Sequence, residues 1–370
     1  MVTKDNLRPG VWEKFKDGTV IPAIPLYLND RREFDPAGQR RLIRYYEAAG
    51  AGGIACGVHT TQFVIRKPEI GLFEPVLSEV LEEIKLCEEK RGEPIIRIAG
   101  GFGPTEQVIR EAELVREMGY DMMLLSPGGL PADADEDAHV ARIRAVAEII
   151  PTIAFYMQTA VGGRVFTYDY WRKVFALPGV IGVKMAPFNR YMTFDVMRAV
   201  ANSGRSEDVA LYTGNDDNIV ADLLTPYVFE TERGTVRLTI AGGLLGHWTY
   251  WVKPVVELHN RIKDLKKSGS TDIPADLLTL GTQITDANGV VFDYQHNFAG
   301  VITGVHEVLR RQGLFANILT LDPEEVLSPG QAEEITRVCE EYPHLTDDEF
   351  VAEFLRKERE SPRHRELSSV

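Results

Sequence analysis

Cysteine is scarce: Cys56, Cys87 and Cys339 are the only three in 370 residues. They stand far apart, with no CxxC pair and no metal-ligand spacing, which argues against a disulfide framework or thiolate metal site and points to reduced thiols in a cytoplasmic protein. Positive charge is in deficit, with 41 Lys and Arg against 55 Asp and Glu and a net charge of −14. A nucleic-acid surface needs a basic face, so no nucleic-acid partner is expected. No apolar run approaches the ~18 residues that would span a bilayer. The first ten residues are polar, so neither a membrane partner nor a signal peptide is expected. Gly100-Gly101-Phe102-Gly103 lacks the spacing, and the following acidic residue, of a dinucleotide fingerprint, which argues against NAD.

The chain is 44% hydrophobic and 26% charged, ordinary for a globular protein. Apolar strand-like runs lie at residues 19–27, 53–58, 94–99, 120–125, 151–156, 180–184, 209–213 and 236–241, each followed by a helical pattern. Eight such repeats in about 250 residues predict an α/β fold, a (β/α)8 TIM barrel, over residues 1–268. A doubly wound sheet is the competing architecture. It concentrates its site at one switch point, whereas here nearly every strand end carries glycine or reactive residues. Residues 269–370 read as a C-terminal helical extension packed on the barrel, with a charged tail, ESPRHREL, expected to fray.

One strand end carries unusual chemistry. Val180-Ile181-Gly182-Val183 is apolar, and Lys184 follows between apolar neighbours, with Met185-Ala186-Pro187 after it. Burial disfavours an ammonium, and a neutral amine near pH 7 attacks carbonyls, the chemistry of an imine-forming lysine. A barrel would bring further groups to the same mouth: His59, Thr60 and Thr61 after the second strand, Tyr156 at the fifth, Gly214, Asp216 and Asp217 after the seventh, and Gly242 and Gly243 after the eighth. A phenol near the amine would shuttle protons, and adjacent threonines would cradle a carboxylate. His247 and the Trp248, Tyr250, Trp251 group read as structural. Asp216 and Asp217 could cap the following helix, and a metal-dependent lyase using the pair is a runner-up, although no third ligand stands near them. No metal is therefore expected.

At these residues the sequence resembles the dihydrodipicolinate synthase/N-acetylneuraminate lyase family of class I aldolases, over roughly residues 20–267. Gly182-Val183-Lys184 resembles the family's Schiff-base lysine strand, and Phe155-Tyr156 its catalytic tyrosine strand. Gly57-Val58-His59-Thr60-Thr61-Gln62 sits where the family binds a 2-oxo acid carboxylate. Gly214-Asn215-Asp216-Asp217 resembles the sialic acid lyase motif that holds the polyhydroxylated end of the substrate, and Gly242-Gly243 the glycine pair after strand eight. The resemblance implies Lys184 as nucleophile, Tyr156 as proton shuttle and Thr60 positioning Tyr156 or the carboxylate. It also implies substrate contacts by His59, Thr61, Gly214, Asp216, Asp217, Gly242 and Gly243. Either threonine could be the carboxylate cradle. No cofactor beyond the lysine imine is implied, and a homo-oligomer, dimer or tetramer, is.

Two departures bear on the reaction. The synthases carry a second tyrosine after strand four, where this chain has Ser126-Pro127-Gly128-Gly129-Leu130, and an arginine five residues past the catalytic tyrosine, where Val161 stands with Arg164 nearby. The expectation is therefore a lyase, an aldolase or dehydratase, acting on a 2-oxo acid, with hydroxylated sugar-acid derivatives among the candidates. The 4-hydroxy-tetrahydrodipicolinate synthase itself, with Arg164 gripping the second carboxylate, and a catalytically silent 2-oxo acid-binding barrel are the alternatives.

Overall fold

Runs rich in Val, Ile and Leu alternate with amphipathic stretches, and in the computed structural model, which describes residues 1–360, they close into a barrel. Its strands are β1 (Val20–Pro22), β2 (Gly53–Cys56), β3 (Ile96–Gly101), β4 (Met122–Leu125), β5 (Thr152–Met157), β6 (Val180–Ala186) and β7 (Ala210–Thr213). After these come a two-stranded ribbon, β8 (Pro226–Thr231) and β9 (Gly234–Thr239), and the last barrel strand, β10 (Gly242–Leu245). The eight barrel strands run in the order β1-β10-β7-β6-β5-β4-β3-β2, with parallel pairing throughout, and a parallel bridge between Ala23 and Ala55 joins the two edges. The expected (β/α)8 barrel is the observed fold.

Helix α1 (Val11–Asp17) precedes the first strand, and α2 (Pro36–Ala49), α3 (Phe73–Arg91), α4 (Thr105–Met118), α5 (Glu136–Ala147), α6 (Tyr168–Phe175), α7 (Arg190–Ser203), α8 (Ile219–Leu224) and α9 (Val252–Lys267) complete the eight repeats. Local signals start and stop them. At α2, Asp35 accepts the Gly38 N–H at 3.1 Å ahead of Pro36, and Gly50 ends the helix at φ +101°, a conformation a side chain would strain.

Strand side chains alternate between two layers. Ile21, Ile98, Leu124, Ile153, Phe155 and Met157 fill the barrel interior, while Ala99, Ala154, Tyr156, Val183 and Met185 face the helices. Helix α1 closes the N-terminal end: Phe15 stacks on Tyr212 at 4.6 Å, and the Tyr212 hydroxyl donates to the Phe15 carbonyl at 2.9 Å. Function is thereby left to the opposite mouth.

The eighth strand is displaced from its expected place. Residues 236–241 fall mostly in β9, paired antiparallel with β8 through a tight turn at Glu232-Arg233. Tyr227 and Phe229 are buried while Pro226, Val228 and Glu230 are exposed, the alternation of a ribbon with one wet face. The barrel strand is the glycine-rich β10, whose weak strand propensity hid it.

Helices α10 (Ala275–Val291), α11 (Val301–Arg311), α12 (Gln331–Glu341) and α13 (Asp348–Glu360) follow. Helix α13 returns to α2, where Arg44 meets Glu358 at 2.6 Å and Tyr45 meets the Phe354 ring edge-on. The connection from α10 to α11 passes over the barrel mouth. The tail beyond Glu360 lies outside the described residues.

Candidate active site

The strand period decides which residues can meet at the mouth. Along β6, Val183 and Met185 turn toward the helices, so Lys184 and Ala186 turn inward. β5 pairs with β6 in a register that sets Phe155 opposite Lys184 and Tyr156 opposite Met185. The Lys184 Nζ accordingly lies 4.4 Å from the centre of the Phe155 ring. Gly214 makes room for the lysine stem: a Cβ there would fall 2.7 Å from Lys184 Cε and 2.8 Å from Ala186 Cβ.

Lys184 opens into a cavity of about 850 Å³, mouth included. Its polar lining comprises His59, Thr60, Ser126, Gln158, Lys184 and Asp216. Asp216 is buried, and its Oδ1 accepts the His247 N–H at 2.9 Å. Burial pulls the Lys184 ammonium down to about 8, and the Asp216 charge acts in the opposite sense. Burial likewise pushes the Asp216 carboxyl up to about 7, against the pull of the His247 and Gly246 N–H groups and of Lys184. Burial first, and Lys184 second, lower His59 to about 4, leaving a neutral imidazole. A lysine lowered toward neutral pH beside a carboxyl raised toward it suits carbonyl chemistry, because each can exchange protons near physiological pH.

The remaining candidates fall into place less well. Tyr156 faces outward, buried against Phe166 and Trp171, with its hydroxyl accepting the Phe166 N–H at 3.3 Å. It does not line the cavity; the inward neighbour of Lys184 is Phe155, which has no proton to move. Thr60 lines the cavity but donates its hydroxyl to the Ala23 carbonyl at 2.7 Å, so it does not position Tyr156. Thr61 is fully buried, donating to the Ile24 carbonyl at 2.7 Å and accepting the Gly57 N–H at 3.1 Å. It braces the loop rather than touching the cavity. Asp217 is exposed and lines an adjoining groove with Thr285 and Asn288. Gly242 and Gly243 lie inside β10, where added Cβ atoms would strike the Thr19 carbonyl and Trp248; of the glycines around this strand, Gly246 reaches the cavity. Arg164 is held by the Ala134 carbonyl at 2.5 Å and by His139 at 2.9 Å, away from the cavity, while Val161 lines it. Trp248, Tyr250 and Trp251 are buried packing residues. Among the described residues there is no group of three His, Cys, Asp or Glu side chains placed to hold a metal ion. No helix among them is long and apolar enough to cross a membrane.

Several cavity residues carried no signal in the sequence. Phe63, Phe188, Phe292 and Phe298 line the walls, the last two from the connection that α10 and α11 hang over the mouth. Phe155 could have been found by counting parity from Lys184 across the paired strands.

Fold and site define a (β/α)8 barrel with a half-buried lysine at its C-terminal mouth. The chain is similar to the N-acetylneuraminate lyase of Citrobacter koseri, with 27% identity over 210 residues, 55% of this chain and 65% of that relative. It shares its fold with a solved N-acetylneuraminate lyase from Fusobacterium nucleatum, at TM-score 0.66 and 16% identity, over 89% of this chain and 99% of that one. It also shares it with dihydrodipicolinate synthase from Oceanobacillus iheyensis, at TM-score 0.69 and 16% identity, over 90% and 99%. A third is the Acinetobacter baumannii dihydrodipicolinate synthase solved with pyruvate, at TM-score 0.69 and 18% identity, over 88% and 99%. No family model matches the chain.

The position of Tyr156 yields an expected outcome. Tyr156→Phe removes a hydroxyl that serves only the Phe166 N–H, at a cost of about 1 kcal/mol in stability. Steady-state turnover of the variant should stay far from the ~10²–10⁴-fold loss that removal of a proton shuttle brings. A loss of that size would place the phenol in the reaction.

Proposed function

We propose that the chain is a Schiff-base-forming lyase of the class I aldolase type, acting on a 2-oxo acid through Lys184. The observation that carries this reading is the half-buried Lys184 amine, its pKa lowered by desolvation, lining a cavity in which it is the sole Lys or Arg side chain. The amine attacks the C2 carbonyl, and the carbinolamine loses water to give an iminium. The iminium draws in the electron pair released when the C3–C4 bond, or a C3–H bond ahead of C4–O loss, breaks, and water then hydrolyses the imine. With Tyr156 turned away, Asp216 takes and returns protons in this reading, and a neutral His59 lines the same cavity. Thr60 borders the space the carboxylate would take. Residues 1–268 form the catalytic barrel in this reading, and the later helices its roof.

Condensation with an aldehyde that carries its own carboxylate finds no support, since Arg164 is engaged elsewhere. A cytoplasmic setting fits three unpaired cysteines. Assembly into a homo-oligomer is part of the same reading. The test is borohydride reduction with pyruvate, followed by intact mass and peptide mapping. A reduced pyruvyl adduct on the Lys184 peptide is expected. An adduct on another lysine, or none, would overturn the proposal, and an adduct without turnover of any 2-oxo acid would leave a silent binding barrel.

A further inference from the structure

We propose that the cavity selects 2-oxo acids whose distal end is a bulky, uncharged apolar group of about ring size, and not the polyhydroxylated chain of a sugar acid. The inference rests on the reading of Lys184 as the imine lysine and concerns what lies beyond the reacting carbons.

Of the polar lining, His59 and Asp216 interact electrostatically with Lys184, and much of the remaining wall is aromatic. Phe155 and Phe63 stand on the barrel side, with Phe63 stacked on Phe102 at 4.1 Å. Phe188 and Phe298 meet edge to face at 5.8 Å, and Phe292 joins them from the roof. A hydroxyl buried against such a wall loses its water partners and gains none, whereas a ring gains contact over its whole face.

Of the motif expected to hold sugar hydroxyls, Gly214 and Asp216 border the cavity, with the Asp216 charge acting on Lys184, while Asn215 and Asp217 are occupied or elsewhere. The Asn215 amide donates to Thr193 at 3.2 Å and to Asp222 at 3.0 Å, and its Oδ1 accepts the Phe188 N–H at 3.1 Å. Asp217 lies outside the cavity. Asn215 therefore props the aromatic wall through Phe188, and Asp216 is the one acidic side chain the motif gives to the cavity. Phe188 and Phe298 both hold left-handed backbone conformations, at φ +50° and +65°, which are strained for bulky side chains. Phe298 is fixed there by its N–H donating to the Asp293 carbonyl at 2.9 Å. Strain kept at two rings facing one cavity marks them as placed for a ligand.

With 4-hydroxy-2-oxo-4-phenylbutanoate, the C4 hydroxyl proton passes to a base and the C3–C4 bond breaks. Its electron pair enters the iminium as an enamine, and the C4 fragment leaves as benzaldehyde. The enamine is protonated at C3, and hydrolysis frees pyruvate; atoms and electrons balance without a further reactant.

The experiment compares kcat/KM for this compound with that for a 2-oxo-3-deoxyhexonate of similar size, reading released pyruvate. The unaltered protein is expected to favour the phenyl compound by about tenfold or more, and Phe298→Asn to narrow that ratio by about tenfold. Equal or better cleavage of the hexonate by the unaltered protein would overturn the inference, whether or not the variant folds. Borohydride trapping with pyruvate on the same preparation separates the two ideas. An adduct on Lys184 with hexonate preference sinks only the apolar cavity, whereas an absent adduct sinks the imine reading beneath it.

Discussion

Lys184→Ala is expected to abolish the borohydride-trapped pyruvate adduct and to lower turnover by roughly 10⁴-fold or more, the scale on which removal of a covalent nucleophile acts. The fold should survive. The side chain is surrounded by Phe155, Gly214 and Ala186 on the interior of a closed barrel, and burial opposes its charge, so removing the ammonium relieves a desolvation cost. Circular dichroism and thermal melting would show a native-like variant beside an inactive one. Retention of the adduct would identify another lysine as the nucleophile. Loss of fold together with adduct would make Lys184 structural, and Lys184→Met, which keeps the stem and its packing, distinguishes that outcome from chemistry.

The barrel was legible because its cause is local: strand-like runs, capped helices and loops repeat at a nearly constant interval, and each repeat can bury its apolar face only against its neighbours. Lys184 was legible for the same reason, a charge stranded in an apolar strand. What failed was parity. Phe155 and Tyr156 are adjacent in sequence, and only the register of β5 against β6 decides which faces Lys184. A one-residue slip exchanges interior for exterior, and a motif carries no register. The eighth strand failed because Gly242-Gly243-Leu244-Leu245 has poorer strand formers than the ribbon before it, so propensity chose the wrong segment. The roof was invisible. Phe292 and Phe298 belong to a connection between helices far along the chain, and nothing local says that it returns to the mouth.

In the proposed reaction, the outward turn of Tyr156 leaves the proton transfer to Asp216. With Phe155 in the inward place, the lysine has no phenol, and Asp216 is the acidic side chain that shares its cavity. The His247 N–H fixes its carboxylate at 2.9 Å. Asp216→Asn keeps size and shape but cannot accept a proton from a carbinolamine or a C4 hydroxyl, so kcat should fall by about 10²–10⁴-fold. Trapping with pyruvate should persist at a slower rate, because the nucleophile remains. The pH profile carries the sign. In the proposed reaction the working forms are a neutral Lys184, lowered to about 8, and an ionised Asp216, raised to about 7, so kcat/KM should climb from pH 6 to above 8 as both groups lose protons. In Asp216→Asn the lower inflection should vanish. Lys184, freed of the carboxylate that raises its pKa, should then titrate at lower pH, so the remaining inflection moves down. An unchanged lower inflection, or a kcat within a few-fold of the parent, would remove Asp216 from the proton path and leave His59 or a water to serve it.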